Sequence, residues 1–246
     1  MGCSSGPDII QDGLVLCLDA GSKRSYPGTG TTWTDLKNGD SGSLTNMDGN
    51  NYVSENFSLF FDGSNERVFL SEKNDYKFLS GDEITVSAWI RPSNVTGATY
   101  QSFFCIGGGG ITRDRNFQVR ISNGTSNGRI DALYRNYANN QWQVRETSAA
   151  YAENYKWMMV STTFIYGSGG SWNIYINGKS VSSYYQQGNG TQVPIVSSSY
   201  DIHVGAGEDG AGEFFNGQIS NVLLYRRYLS ADEIRQNYLS TKERFA

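Results

Sequence analysis

The chain has 246 residues, 29 of them glycine, aromatics at 13% and a formal net charge of −4. An acidic balance argues against a nucleic-acid partner, which needs a basic face, and the longest wholly apolar run, residues 14–18, is far too short to span a membrane. Three widely spread cysteines, Cys3, Cys17 and Cys105, do not make a disulfide framework.

Residues 1–12 read as a flexible arm, small, polar and Gly/Ser-rich, with Ile9 and Ile10 placed to insert into a neighbour. The arm carries no basic-plus-apolar leader run. Residues 13–19 (GLVLCLD) predict a first strand covered on both faces, with Cys17 in the core. Trp33 anchors a stretch that ends in a polar turn bearing Asp35, Asn38 and Asp40. Residues 57–62 and 67–70 flank a short hairpin loop. Residues 83–91 alternate, with Ile84, Val86, Ala88 and Ile90 on one face and Thr85, Ser87 and Trp89 on the other, and Pro92 ends the strand. Residues 102–106 and 116–121 are strands around Gly107-Gly108-Gly109-Gly110, which lacks the Lys-Ser/Thr of a phosphate loop.

Residues 129–134 and 141–147 predict a hairpin. Residues 156–166 and 171–177 follow, and Asn177-Gly178 marks a type I′ turn, since both central residues need positive φ. Residues 181–185 return from it. Residues 201–205 carry the lone histidine, His203, as a polar strand residue. Residues 216–225 are a closing strand expected to pair near the first one. A helix within residues 230–242 is signalled by Ser230 as N-cap, Glu233 completing a capping box, and Leu229 with Ile234 at staple spacing. No linker divides residues 13–246, so one domain follows the arm. The expected core includes Phe60, Ile84, Val86, Trp89, Trp157, Ile174, Val222 and Leu224.

Lys156-Trp157, Val160 and Thr163-Phe164, followed by Trp172-Asn173-Ile174-Tyr175-Ile176-Asn177-Gly178, carry a resemblance. So do Phe60-Phe61-Asp62-Gly63, Thr85-Val86-Ser87-Ala88-Trp89-Ile90 and Phe215-Asn216-Gly217-Gln218-Ile219. Together these motifs, over about residues 13–240, resemble laminin G-like domains of the concanavalin A-like lectin/glucanase superfamily. Leu18-Asp19-Ala20-Gly21, Tyr26-Pro27-Gly28 and Thr241-Lys242-Glu243-Arg244-Phe245 are similar to domains in virion proteins of tailed phages. The resemblance implies an all-β jelly roll of two antiparallel sheets packed face to face, with one short C-terminal helix. It implies a non-enzymatic structural or adhesion protein of a virion, made in the host cytoplasm, oligomeric, joined to other virion or assembly proteins and binding a host-surface glycan. The alternative is a soluble, extracellular carbohydrate-binding lectin module.

Glycosidases need two flanking carboxylates, and the family's glucanases space them Glu-x-Asp-x-x-Glu, a pattern absent here. The nearest acidic cluster, Glu208-Asp209 and Glu213, has other spacing. A single histidine supports neither a serine triad nor a zinc site, so no enzyme is expected. Calcium wants six to eight oxygens; Asp19, Asp35 and Asp62 at strand ends are the candidate ligands, with Asn38, Asp40 and Asp209 near them in turns. Sugar binding wants aromatics beside polar forks. Tyr134, Arg135, Tyr137, Asn139 and Trp142 form one candidate set, and Tyr184 with Tyr185 a second.

Overall fold

Period-two alternation sends one row of each strand inward, and pairing then builds two sheets. In a computed structural model, residues 8–97, 99–107, 116–135, 141–169, 171–192, 200–207 and 212–245 are described. Among them lie strands β1 (Leu14–Asp19), β2 (Thr32–Thr34), β3 (Ser41–Thr45), β4 (Tyr52–Val53), β5 (Ser58–Asp62), β6 (Arg67–Leu70), β7 (Glu83–Pro92), β8 (Gln101–Ile106) and β9 (Phe117–Ile121). They continue with β10 (Ile130–Arg135), β11 (Trp142–Thr147), β12 (Met158–Ile165), β13 (Trp172–Ile176), β14 (Lys179–Val181), β15 (Ser183–Gln187), β16 (Ile202–Val204) and β17 (Asn216–Tyr225). Helix α1 (Ala231–Thr241) closes the chain.

An eight-stranded sheet runs β14-β13-β12-β7-β17-β5-β4, with β1 also on β17; a nine-stranded sheet runs β15-β11-β10-β9-β8-β16-β6-β3-β2. All named pairings are antiparallel. The main core lies between the sheets and includes Leu59, Phe61, Ile84, Val86, Ile90, Phe104, Val119, Ile121, Tyr134, Phe164, Trp172, Ile174, Val222 and Leu224. This two-layer antiparallel sandwich with a C-terminal helix is the architecture that the resemblance implied.

A second cluster covers the other face of the eight-stranded sheet. Trp89, Met159, Tyr175, Leu223, Tyr225 and Ile234 meet there under α1. The capping box at Ser230 and Glu233 forms as expected, and Trp89 stacks on Phe245 with ring centroids 4.2 Å apart. Arg244 pairs with both oxygens of Asp19. Its guanidinium lies where a Cβ on Gly21 would stand, 2.7 Å away. Thus the front Leu18–Gly21 motif and the rear Arg244-Phe245 motif form one clasp.

Several expectations change. Residues 8–12 of the arm lie against α1: the Ile10 amide donates to Asn237 Oδ1 at 2.8 Å, and the Tyr225 hydroxyl donates to the Ile10 carbonyl at 3.0 Å. Ile9 and Ile10 pack on this chain's own second cluster. Residues 1–7 lie outside the described residues. Trp157 and Phe60 are half-buried, not core. Phe60 faces away because Leu59 and Phe61 take the inward positions of β5, and Trp157 sits just before β12, stacked on Phe245 at the margin of the helix-covered cluster. The return from the Asn177-Gly178 turn is split. β14 stays in the first sheet, and β15 pairs with β11 in the second. Both turn residues do have positive φ, 50° and 74°.

Trp89 and Trp157 should therefore respond differently to truncation. Trp89→Ala is expected to cost about 3–5 kcal/mol and Trp157→Ala roughly 1–2 kcal/mol, read from urea unfolding. Equal losses would refute this division of the two rings.

Candidate functional site

The outer face of the nine-stranded sheet carries buried polar groups. Register places Ser102, Arg120, Asp131, Glu146 and Tyr184 opposite one another in a row across β8, β9, β10, β11 and β15. Arg120 and Asp131 are flanked by the core residues Val119, Ile121, Ile130 and Ala132, so the alternation that builds the core aligns these charges on the other side.

Arg120 Nε reaches Asp131 Oδ2 at 3.2 Å and Nη1 reaches Glu213 Oε1 at 2.8 Å. Its guanidinium lies 3.4 Å from the centre of the Tyr100 ring. Gln118 donates to the other oxygen of Glu213. Glu213 arrives from outside the sheet with a left-handed φ of 50°, and its carbonyl is fixed by the Ser102 amide at 2.8 Å. Glu146 accepts from Arg129 at 2.9 Å, from Ser122 at 3.2 Å and from the Tyr184 hydroxyl. Asp131 and Glu146 are each only 2% exposed.

Three carboxylates, Asp131, Glu146 and Glu213, face two guanidiniums, Arg120 and Arg129, so one bound proton leaves the cluster neutral. Burial pushes the Asp131 carboxyl up to about 7, against the opposing pull of Arg120 and with a further push from Glu146. For Glu146 burial also pushes upward, but the bonds from Tyr184, Arg129 and Ser122 outweigh it and hold its carboxyl below the usual value. Asp131 Oδ1 is buried with no donor facing it. A proton on Asp131, donated to Glu146, satisfies both groups.

Further along the same face Arg135 stands opposite Trp142, its guanidinium 5.4 Å from the indole centre. Gln141, Trp142, Gln187 and Gly188 line an open cleft of about 430 Å³. One wall is braced from below: buried Gln143 accepts from the Asn189 and Gly190 amides, each at 3.1 Å.

Arg135, Trp142 and Tyr184 thus share the outer face. Tyr134 does not. It is 0% exposed, its ring lies against Phe164 and Trp172, and its hydroxyl donates to the Gln192 carbonyl at 2.7 Å. The inward position between Leu133 and Arg135 explains the correction. Tyr185 also turns toward the core, edge-on to Trp172, beneath the Arg145 guanidinium. Tyr137 and Asn139 lie outside the described residues, as do Glu208 and Asp209.

The acids weighed for calcium have other partners. Asp35 is 1% exposed and accepts the amides of Cys17, Lys37 and Asn38 at 2.7, 2.9 and 2.9 Å. Asp19 is paired with Arg244, and Asp62 accepts the Ser64 amide at 2.7 Å. Among the described residues no three His, Cys, Asp or Glu side chains are grouped to hold a metal ion. His203 is buried in β16, and burial brings its imidazole down to about 4. Burial pushes the Cys17 thiol up to about 12.

Sequence reasoning missed Arg120, Asp131 and Glu146, and weighed Glu213 only with Glu208 and Asp209. A signal existed in Val119-Arg120-Ile121 and Ile130-Asp131-Ala132, where a charge interrupts an otherwise apolar strand.

Residues 62–235 match a laminin G family described as the concanavalin A-like lectin/glucanases superfamily. No curated protein matches the chain. Among solved structures it is similar to Trypanosoma rangeli sialidase in complex with sialic acid, at 16% identity and a TM-score of 0.65, covering 99% of this chain and 35% of that one. It is also similar to the botulinum neurotoxin serotype D ligand binding domain in complex with N-acetylneuraminic acid. That likeness has 16% identity and a TM-score of 0.64, over 93% of this chain and 51% of that one. The chain thus spans about a third of the sialidase and half of the neurotoxin fragment, and the likeness concerns the fold.

The shared proton has a measurable consequence. A carboxyl raised from 3.8 to about 7 contributes stability that is full below pH 4 and is lost as pH rises toward and through 7. The Glu146 contribution has the opposite sign: it is present above its ordinary value and lost as pH falls. Asp131→Asn removes the first effect while keeping a donor toward Glu146. Its urea midpoint, relative to the parent, is expected to rise between pH 5 and pH 8. A difference that stays constant over that interval would disprove the shared proton.

Proposed function

This chain belongs to the concanavalin A-like lectin/glucanases superfamily, and we propose that it is a non-enzymatic glycan-binding module whose saccharide site is the Trp142 cleft. The observation that carries this reading is a half-exposed indole beside two side-chain amides at the mouth of that cleft. An indole face packs against the C–H face of a sugar ring. Gln141 and Gln187 each offer donors and acceptors, which matches the dual character of sugar hydroxyls. The neurotoxin domain and the sialidase, both described with a sialic acid bound, share this fold and lend support by analogy. The non-enzymatic reading is supported by the state of the nearby acids: Asp131, Glu146 and Glu213 are engaged by arginine, amide or hydroxyl partners.

Attachment to a larger assembly, as a virion adhesion component, is the finer form of this proposal. It rests on the Leu18–Gly21, Tyr26–Gly28 and Thr241–Phe245 motifs. Mass spectrometry of purified particles from the source would detect the chain there if it holds, and its absence from them would favour the free lectin module.

Binding is tested on an array of neutral oligosaccharides. The parent should retain a subset of them, and Trp142→Ala should weaken retention about tenfold or more, by loss of a stacking partner and its buried area. No retention by the parent, or undiminished retention by the variant, would sink the proposal.

Laminarin, agar and carrageenan fragments should remain uncleaved. Turnover abolished by Asp131→Asn or Glu213→Gln would show instead that the outer-face carboxylates are catalytic.

A further inference from the structure

A larger cleft of about 950 Å³ lies on the other sheet, between the β13–β14 hairpin and α1. Tyr151, Lys179, Val181, Asp232, Arg235 and Leu239 are among its lining residues. Its walls are fixed before any ligand arrives. Asn177 Oδ1 accepts the Met159 amide at 2.8 Å, and the Asn177 amide donates to the Met159 carbonyl at 2.9 Å. A Cβ on Gly178 would meet the Tyr238 side chain at 2.9 Å, so the turn sits directly on the helix. α1 is held at its start by the capping box and along its inner face by Ile234. A preformed cleft of this kind needs little ordering when it is filled.

The cleft gathers two cations that are free to receive an anion. Among the described residues Arg91, Arg120, Arg129, Arg145, Arg226, Arg227 and Arg244 are each committed to an acid, a carbonyl or an aromatic ring. Lys179 and Arg235 are exposed, and their side chains make neither an ion pair nor a hydrogen bond among the described residues. Asp232, also in the cleft, lies in the first turn of α1, where the helix amides favour its charge. Two cations against one acid leave the cleft net positive on a chain whose total is −4. Tyr151 adds a half-buried ring, and Val181 and Leu239 add apolar wall.

We propose that this cleft is a second binding site, separate from the Trp142 cleft, that takes an acidic sugar. Lys179 and Arg235 receive the carboxylate, Arg235 as a two-pronged donor and Lys179 as a point charge. The Tyr151 ring and the Val181–Leu239 wall receive the C–H face of the pyranose. A bare inorganic anion would leave that apolar wall unused, and a neutral sugar would leave both cations unpaired.

The test is isothermal titration of the full chain with a hyaluronan tetrasaccharide, whose uronic acids carry the carboxylate. Diacetylchitobiose serves as the neutral arm and sulfate as the simple-anion arm. Binding of the tetrasaccharide is expected to weaken as salt rises. Lys179→Gln and Arg235→Gln should each weaken it about tenfold, the effect of losing one charge-assisted bond. Trp142→Ala should leave it unchanged, so failure here is distinct from failure at the other cleft. Both substituted positions are exposed, and unchanged melting temperatures would confirm that the variants are folded. No heat with the tetrasaccharide at millimolar concentration, or binding indifferent to both substitutions, overturns the proposal. Equal affinity for sulfate would show an anion site only, and equal affinity for diacetylchitobiose would show that the charge plays no part; either result also overturns it.

Discussion

β17 imposes the constraint on which the rest depends. Its backbone must be paired on both edges and its side chains covered on both faces. Along one edge β7 runs the whole length, from Pro92 opposite Gly217 to Thr85 opposite Tyr225. Along the other, β5 serves residues 216–219 and β1 serves residues 221–225, so two strands far apart in sequence share one edge. The run Val222-Leu223-Leu224-Tyr225 is apolar without interruption because Val222 and Leu224 face the main core while Leu223 and Tyr225 face α1. A sheet covered on both faces requires that composition. The helix follows five residues after the strand, and its Ile234 returns to cover the strand that precedes it. The first and last segments of the described chain are then drawn to the same place, as Asp19–Arg244 and Ile10–Asn237 show.

The two sheets solve the problem of their outer faces in opposite ways. The eight-stranded sheet places Trp89, Met159, Tyr175 and Leu223 outward and covers them with a helix. The nine-stranded sheet places Gln118, Arg120, Asp131 and Glu146 outward, and they cover one another. A buried ion network of this sort contributes less to stability than apolar packing of equal volume. The upward push on the Asp131 carboxyl reflects the same cost: burial penalises its charged form. Side chains able to contact a polar ligand, Trp142, Arg135 and Tyr184, therefore stand on the face where the strands are already polar.

Much of the fold was legible because its signals are local. The alternation of β7, the Asn177-Gly178 turn and the Ser230 capping box each depend on a few neighbouring residues, and each forms as read. β3 was hidden because SGSLT mixes glycine and serine with only Leu44 as an apolar anchor, and its strand character comes from pairing with β6. Tyr134 was misplaced because a tyrosine beside an arginine reads equally as a binding pair or as one inward and one outward residue; register alone separates them. Asp35 shows a related ambiguity. An acid in a turn can serve a cation or cap backbone amides, and here it accepts three amides. The charged row was illegible because its members come from five strands, and spacing along the chain carries no trace of spacing across a sheet.

The crossing at Ser182 joins the two clefts physically. β14 and β15 are both edge strands, and the chain passes from one sheet to the other between them. Exposed edges invite pairing with other chains, and short, polar strands discourage it. β14 is three residues long and begins with Lys179; β15 carries Tyr184 and ends in two glutamines. These same side chains line or adjoin the clefts: Lys179 and Val181 on one side of the crossing, Gln187 and Gly188 on the other. A sequence chosen to keep two edges from pairing must be polar, exposed and held rigid by its neighbours. Those are also the properties that the two proposed saccharide sites need, so the proposal places no demand on this stretch that conflicts with its role at the two edges.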